Sequence, residues 1–217
     1  GLVDLAGFPK DSYYLNQSLW SDKPMVHILP HWTWPGKEDK KIPVVVYTNA
    51  DEAELFLNGR SLGRKTIDKK EEMQLLWHVP YQPGTLTAIA YKNGKKVART
   101  SHQTASQPAT IHLSAARKVI HTDKREVVYI TADIVDAHGH FVPYADNHLT
   151  FEVSGPYKLI GVENGDIIDL SPNKSLERKA FMGKALLILQ AHDAKGTIKV
   201  KAHSGKLKSN RISIQCD

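Results

Sequence analysis

Two Asn-Gly pairs, Asn58-Gly59 and Asn93-Gly94, each stand between short runs in which apolar and polar residues alternate, and this arrangement limits the fold more than any other feature of the chain. A tight two-residue hairpin turn needs positive φ at both central positions, which Asn and Gly tolerate, so each pair should reverse one strand onto the strand before it. Alternation with period two turns one side of a run toward a core and the other toward water. Between residues 25 and 102 the pattern predicts seven strands: 25–34, 44–48, 54–58, 61–66, 73–79, 85–92 and 95–102. Residues 101–108 are polar, contain Pro108 and separate segments that each look complete, which makes them a linker. Further alternating runs follow at 110–114, 127–135, 149–153, 158–162, 180–191, 197–203 and 211–215, with Gly139 at a bend after the second. The expected fold is all-β: two consecutive β-sandwich domains, 22–105 and 106–217.

A chain of 217 residues with 41% hydrophobic and 24% charged content is long enough for two cores. It has no run of about 18 apolar residues, so no helix is expected to span a membrane, and the apolar stretch 185–189 reads as a buried strand. The single cysteine, Cys216, excludes an intrachain disulfide, argues against a Cys-based metal site, and reads as an inert or solvent-facing thiol. The formal charge of +6 is scattered. Lys199 and Lys201 alternate with apolar residues as on the wet side of a strand, Lys206 and Lys208 repeat this, and Lys95-Lys96 and Lys69-Lys70 fall at turns. Without a recognition helix or an aromatic-basic motif, this distribution argues against nucleic acid as a partner.

The first 20 residues are too apolar for a frayed terminus and too few for a domain. Pro9, suited to a first helical turn, precedes Tyr13, Tyr14, Leu15, Leu19 and Trp20, so a short helix is expected that must dock to persist. This segment, followed by Met25-Val-His-Ile-Leu-Pro-His-Trp-Thr-Trp34, resembles the point where β-galactosidases of glycoside hydrolase family 2 leave their catalytic (β/α)8 barrel. The block Val45-Val-Tyr-Thr-Asn-Ala-Asp-Glu-Ala-Glu-Leu-Phe-Leu-Asn-Gly-Arg-Ser-Leu-Gly63 is similar to the sandwich domain after that barrel. Leu149-Thr-Phe-Glu-Val-Ser-Gly155 with Ile160-Gly-Val-Glu-Asn-Gly-Asp166 resembles the terminal domain and immunoglobulin-like bacterial modules. The resemblance implies immunoglobulin-like sandwiches, a barrel remnant in residues 1–21, and the two catalytic glutamates upstream of Gly1. It further implies a non-catalytic fragment of a retaining, exported enzyme, periplasmic or secreted. The partner is then the barrel of the parent chain, and the uncovered barrel-facing residues Phe8, Tyr13, Leu15 and Leu19 should fold down on the first sandwich or pair two copies.

No catalytic residue, cofactor or metal ligand is expected. Trp32 and Trp34 stand at alternate positions beside Pro30, His31 and Pro35, so on one strand they would face the same way, either packing an interdomain seam or offering a stacking shelf to an oligosaccharide. In the second case the chain is a carbohydrate-binding module, with Tyr144 and Tyr157 as further platforms. Trp77, within Leu75-Leu-Trp-His-Val79, reads as core. His138/His140 and His27/His31 are the closest histidine pairs among eleven, but neither supplies a three-ligand set. The loop Glu163-Asn-Gly-Asp166 lacks the ligand order of a calcium loop and reads as an Asx/Gly turn. Glu52 and Glu54 are near in sequence, but they read as surface groups and not as the acid pair of a glycosidase.

Overall fold

The computed structural model describes residues 1–68, 73–192 and 194–217. The expected turn at Lys69-Lys70 lies outside the described residues. The chain divides into two units, Gly1–Val3 with Pro9–Thr104, and Asp4–Phe8 with Ala105–Asp217.

The first unit begins with helix α1 (Asp11–Trp20), followed by strands β1 (Val26–Leu29), β2 (Lys41–Thr48), β3 (Glu52–Leu57), β4 (Arg60–Thr66), β5 (Leu75–Pro80), β6 (Thr85–Lys92) and β7 (Lys95–Gln103). They form two antiparallel sheets, ordered β1-β2-β5 and β4-β3-β6-β7. Both contribute to one core: Val44, Val46, Trp77 and Val79 from the first, Leu55, Leu57, Leu86 and Ala88 from the second. The expected alternation is plain in β5, where Leu75, Trp77 and Val79 are buried while Leu76, His78 and Pro80 are exposed. Both hairpins are the tight kind, with φ of 51° and 81° at Asn58-Gly59 and 51° and 73° at Asn93-Gly94. Asn58 does more than turn the chain. Its Oδ1 accepts from the Thr85 N–H at 2.8 Å and its Nδ2 donates to the Pro83 carbonyl at 3.1 Å, so it also pins the turn entering β6. Gly84 sits so close that a Cβ there would lie 1.8 Å from Asn58 Oδ1.

The expected first strand, 25–34, is shorter in the structure and stops at Leu29, because Pro30 has no N–H to continue the ladder. Pro9 lies outside the helix: Lys10 is the N-cap, and Pro9 instead bridges Val3. Helix α1 packs on β1, with Tyr14 stacked on His27 at 3.8 Å between ring centroids and Asp11 Oδ1 3.0 Å from His27 Nε2. Only Ser18 of the helix is fully buried, and Leu19 and Trp20 remain 53% and 78% exposed.

The second unit contains β8 (Thr110–Ala115), β9 (Val119–Ile120), β10 (Val127–Val135), β11 (His148–Ser154), β12 (Tyr157–Glu163), β13 (Glu177–Lys179), β14 (Lys184–Ala191), β15 (Gly196–Ser204) and β16 (Leu207–Cys216). Strands β12-β14-β10-β8 and β16-β15-β11-β13 form two antiparallel sets joined by a short parallel pairing of β16 with β8, and β9 pairs beside the end of β16. The sets close on a common core: Val128, Ile130, Ala132, Ile134, Leu187 and Leu189 face Leu149, Phe151, Ile198, Val200 and Ile214. The alternating lysines behave as read: Ile198, Val200 and Ala202 are buried, Lys199 is exposed, and Lys201 reaches Glu152 at 2.9 Å. Strands β9 and β13, of two and three residues, are too short for a periodic signal. The expected run 180–191 is broken by a turn at Met182-Gly183, both with positive φ, so β14 begins at Lys184. Cys216 is fully buried, which overturns the solvent-facing alternative, and burial pushes its thiol pKa up. No helix among the described residues is long and apolar enough to cross a membrane.

Candidate functional site

The segment after β1 carries the tryptophans singled out for sugar contact. Because residues 30–37 are a loop and not a strand, the period-two argument fails there and the two indoles part company. Trp32 is 0% exposed, so it offers no face to a ligand. Its Nε1 donates to the Gln82 carbonyl at 3.0 Å, its ring meets Tyr81 edge-on at 5.2 Å, and its own carbonyl accepts from Thr104 Oγ1 at 2.6 Å. Trp34 is half-buried, stacked on His31 at 4.4 Å, with its Nε1 donating to the His31 carbonyl at 2.9 Å and its backbone N–H to the Tyr81 hydroxyl at 3.2 Å. Burial lowers the His31 pKa, which suits a neutral ring whose Nδ1 accepts the Thr33 N–H. What remains accessible is one partly covered indole. Trp77 is core, as read, and its Nε1 finds no hydrogen-bond partner among the described residues.

The acidic residues weighed as a glycosidase pair are tied to neighbours on the outward side of the β3–β4 hairpin. Arg64 lies 3.4 Å from Glu52 and 3.5 Å from Glu54. Ser61 Oγ donates to Glu54 at 2.7 Å and the Tyr91 hydroxyl at 2.9 Å, and these bonds, led by Ser61, lower the Glu54 pKa. A general acid needs the opposite shift, a carboxyl held protonated near neutral pH.

His27 is engaged with Asp11 and Tyr14, and His31 with Trp34, so that pair is split between two stacks. His138 and His140 have rings 5.9 Å apart and share a different task. Both backbone N–H groups donate to Asp136 Oδ1 at 2.9 Å, and His140 Nδ1 lies 3.3 Å from Asp136 Oδ2. Ser106 completes the set by donating its N–H at 2.9 Å and its hydroxyl at 3.2 Å to Oδ2. Burial on its own would raise the Asp136 pKa, but these donors hold it well below the usual carboxylate range. Among the described residues, no group of three or more His, Cys, Asp or Glu side chains is arranged to hold a metal ion.

The loop after β12 is built the same way. Asn164 is buried, with its Nδ2 donating to Asp169 at 2.8 Å and to the Lys179 carbonyl at 2.9 Å. Arg178, 1% exposed, pairs with Asp169 at 2.9 Å and donates to the Val162 carbonyl at 2.7 Å and to Asn173 Oδ1 at 2.9 Å. Ser171, through its hydroxyl and its N–H, together with Arg178, keeps Asp169 ionised against the opposing effect of burial. The turn expected at 163–166 is present, since the Asp166 N–H donates to Asn164 Oδ1 at 2.9 Å. Tyr144 is 40% exposed with its hydroxyl on the Ser106 carbonyl, and Tyr157 is half-buried. Asp136, Asn164, Asp169 and Arg178 had no sequence signal beyond the turn residues around them. All of them position backbone.

These side chains organise loops through hydrogen bonds to backbone. Residues 39–98 match a domain of unknown function (DUF4982), and residues 111–213 match the glycoside hydrolase family 2 C-terminal domain 5. The chain belongs to glycoside hydrolase family 2. It is 41% identical over its whole length to the β-galactosidase BoGH2A of Bacteroides ovatus, of which it covers 25%. The structure is similar to the crystal structure of a β-glycosidase from Bacteroides vulgatus, with TM-score 0.95 and 45% identity over 99% of this chain and 28% of that one. A family 2 member from Bacteroides cellulosilyticus matches with TM-score 0.91 and 33% identity, over 99% of this chain and 32% of that one. This family 2 chain thus spans about a quarter to a third of the length of these relatives.

Proposed function

We propose that this chain is the non-catalytic C-terminal accessory region of a β-galactosidase-like family 2 glycosidase. In this reading its two units are immunoglobulin-like sandwiches that support a catalytic barrel carried elsewhere in the parent chain, and residues 1–21 are the last piece of that barrel. The observation that carries the proposal is the alignment: the full chain matches a β-galactosidase while accounting for only 25% of it, and residues 111–213 match a C-terminal domain of family 2. The chemistry agrees. Glycoside hydrolysis by retention needs two carboxyl groups about 5–5.5 Å apart, one of them with a raised pKa, whereas Glu52 and Glu54 share Arg64 and the Glu54 pKa is lowered. Helix α1 also fits, because it leaves Leu19 and Trp20 largely exposed at its C-terminal end, as a helix deprived of neighbours would. Assaying the chain and its full-length parent side by side with a chromogenic β-galactoside tests the reading: the parent is expected to turn over and the chain alone to be inert, and hydrolysis by the chain would overturn it.

A further inference from the structure

The loop following β12 presents three large apolar side chains to solvent: Ile167 at 78%, Ile168 at 79% and Leu170 at 94% exposure, within four residues. Isolated apolar side chains on a surface need no explanation, but a contiguous group does. The display is held in shape from beneath. The Asp166 and Ser171 N–H groups are capped by Asn164 and Asp169 side chains, the Ile168 N–H by Asp166 Oδ1 at 3.1 Å, and Asp169 is anchored on Arg178 in the interior. Much of the entropy a flexible loop loses on binding is therefore already lost here, which favours association.

We infer that this loop is a docking knob for the catalytic module of its own parent chain. Size selects that occupant over a second copy or a separate protein. A stable interface between free proteins buries about 800 Å² on each side, and three aliphatic side chains on one loop fall well short of that. A module tethered in the same chain meets the loop at high effective concentration and needs far less area. The sequence match leaves such a module ample room, since this chain accounts for only 25% of BoGH2A and 28% of the Bacteroides vulgatus β-glycosidase. The inference rests on the accessory-region reading above and adds to it the surface that makes the contact.

The test is thiol labelling of Ile168→Cys and, separately, Leu170→Cys, in this chain and in its full-length parent, with the modified peptide quantified by mass spectrometry. Both positions are exposed, so neither substitution threatens the fold, and the native Cys216 is buried. Labelling is expected to be at least about tenfold slower in the parent, independent of protein concentration. Equal rates in chain and parent at both positions overturn the inference, and so does protection that appears only as concentration rises, which would mean a second copy. A control at Trp20→Cys on α1 separates the two levels: protection there without protection at 168 and 170 leaves the accessory-region reading standing and removes the knob, while no protection at any of the three removes both.

Discussion

Replacing Asp136 tests the claim that the second unit is organised by a buried charge. The carboxylate is 2% exposed and accepts from the N–H groups of Ser106, His138 and His140 and from the Ser106 hydroxyl. A hydrogen bond to a charged group is worth roughly 1.5–3 kcal/mol, and a buried donor left unmade costs about 1–3 kcal/mol. Ser106 and His138 are exposed enough for water to recover part of their loss, so Asp136→Ala should cost about 3 kcal/mol in total. For a unit of this size that corresponds to a fall in Tm of roughly 10–15 °C. Asp136→Asn keeps one acceptor oxygen but turns an amide N–H toward Ser106, and should lose about half as much. All four tryptophans, Trp20, Trp32, Trp34 and Trp77, belong to the first unit, so the melt is followed by far-UV circular dichroism. The pH dependence carries the sign. A carboxylate with a depressed folded pKa contributes stability above its unfolded pKa, near 4, and loses it as pH falls toward the folded value. The gap between wild type and Asp136→Asn should therefore be full at pH 7 and narrow steadily below about pH 4. A Tm change under about 3 °C for the alanine variant, or a gap that does not narrow on acidification, would refute the reasoning.

Arg178→Ala leaves Asp169 as an unpaired, largely buried charge and should destabilise the second unit by about 3–5 kcal/mol in urea denaturation, with Arg178→Lys giving little rescue because it lacks the planar fork that reaches Asp169, Val162 and Asn173 together. Trp32→Phe should cost about 1 kcal/mol more than Trp77→Phe in chemical denaturation, because of these two it is Trp32 that spends its Nε1 on a carbonyl; equal costs would contradict that assignment. His102 is held neutral mainly by burial, with its Nε2 2.8 Å from the Ile28 carbonyl. Its lowered folded pKa means that stability of the first unit is lost as pH falls below about 6.5, and His102→Gln should flatten the slope of the tryptophan-detected midpoint between about pH 7.5 and 5.5. Titration with galactan oligosaccharides is expected to leave tryptophan fluorescence flat, whereas saturable quenching lost in Trp34→Ala would establish a binding module.

The strands were readable because their signal is local. In β5, β10 and β15 each side chain's environment follows from its parity, and the two Asn-Gly turns need no information from elsewhere. The tryptophan pair was expected to face one way because parity was extended past Pro30, where no ladder exists to enforce it. Asp136 and Arg178 were illegible for the opposite reason. A charged residue reads as surface unless its partners are known, and theirs lie from two to thirty positions away on other segments. The loop tip is intermediate: its turn chemistry was visible at Asn164-Gly165-Asp166, but nothing local said that Ile167, Ile168 and Leu170 would stay wet.

The place of β16 sets a timetable for biosynthesis. This strand lies inside the sheet order, between β8 and β15, and meets β8 at Lys208, so the two halves of the second unit have no ladder connecting them until β16 has begun to leave the ribosome. The first unit has all its strands by Gln103 and can close while the second is still being translated. During that interval β8 and β15 each wait with one edge unpaired, and nascent-chain aggregation should concentrate there.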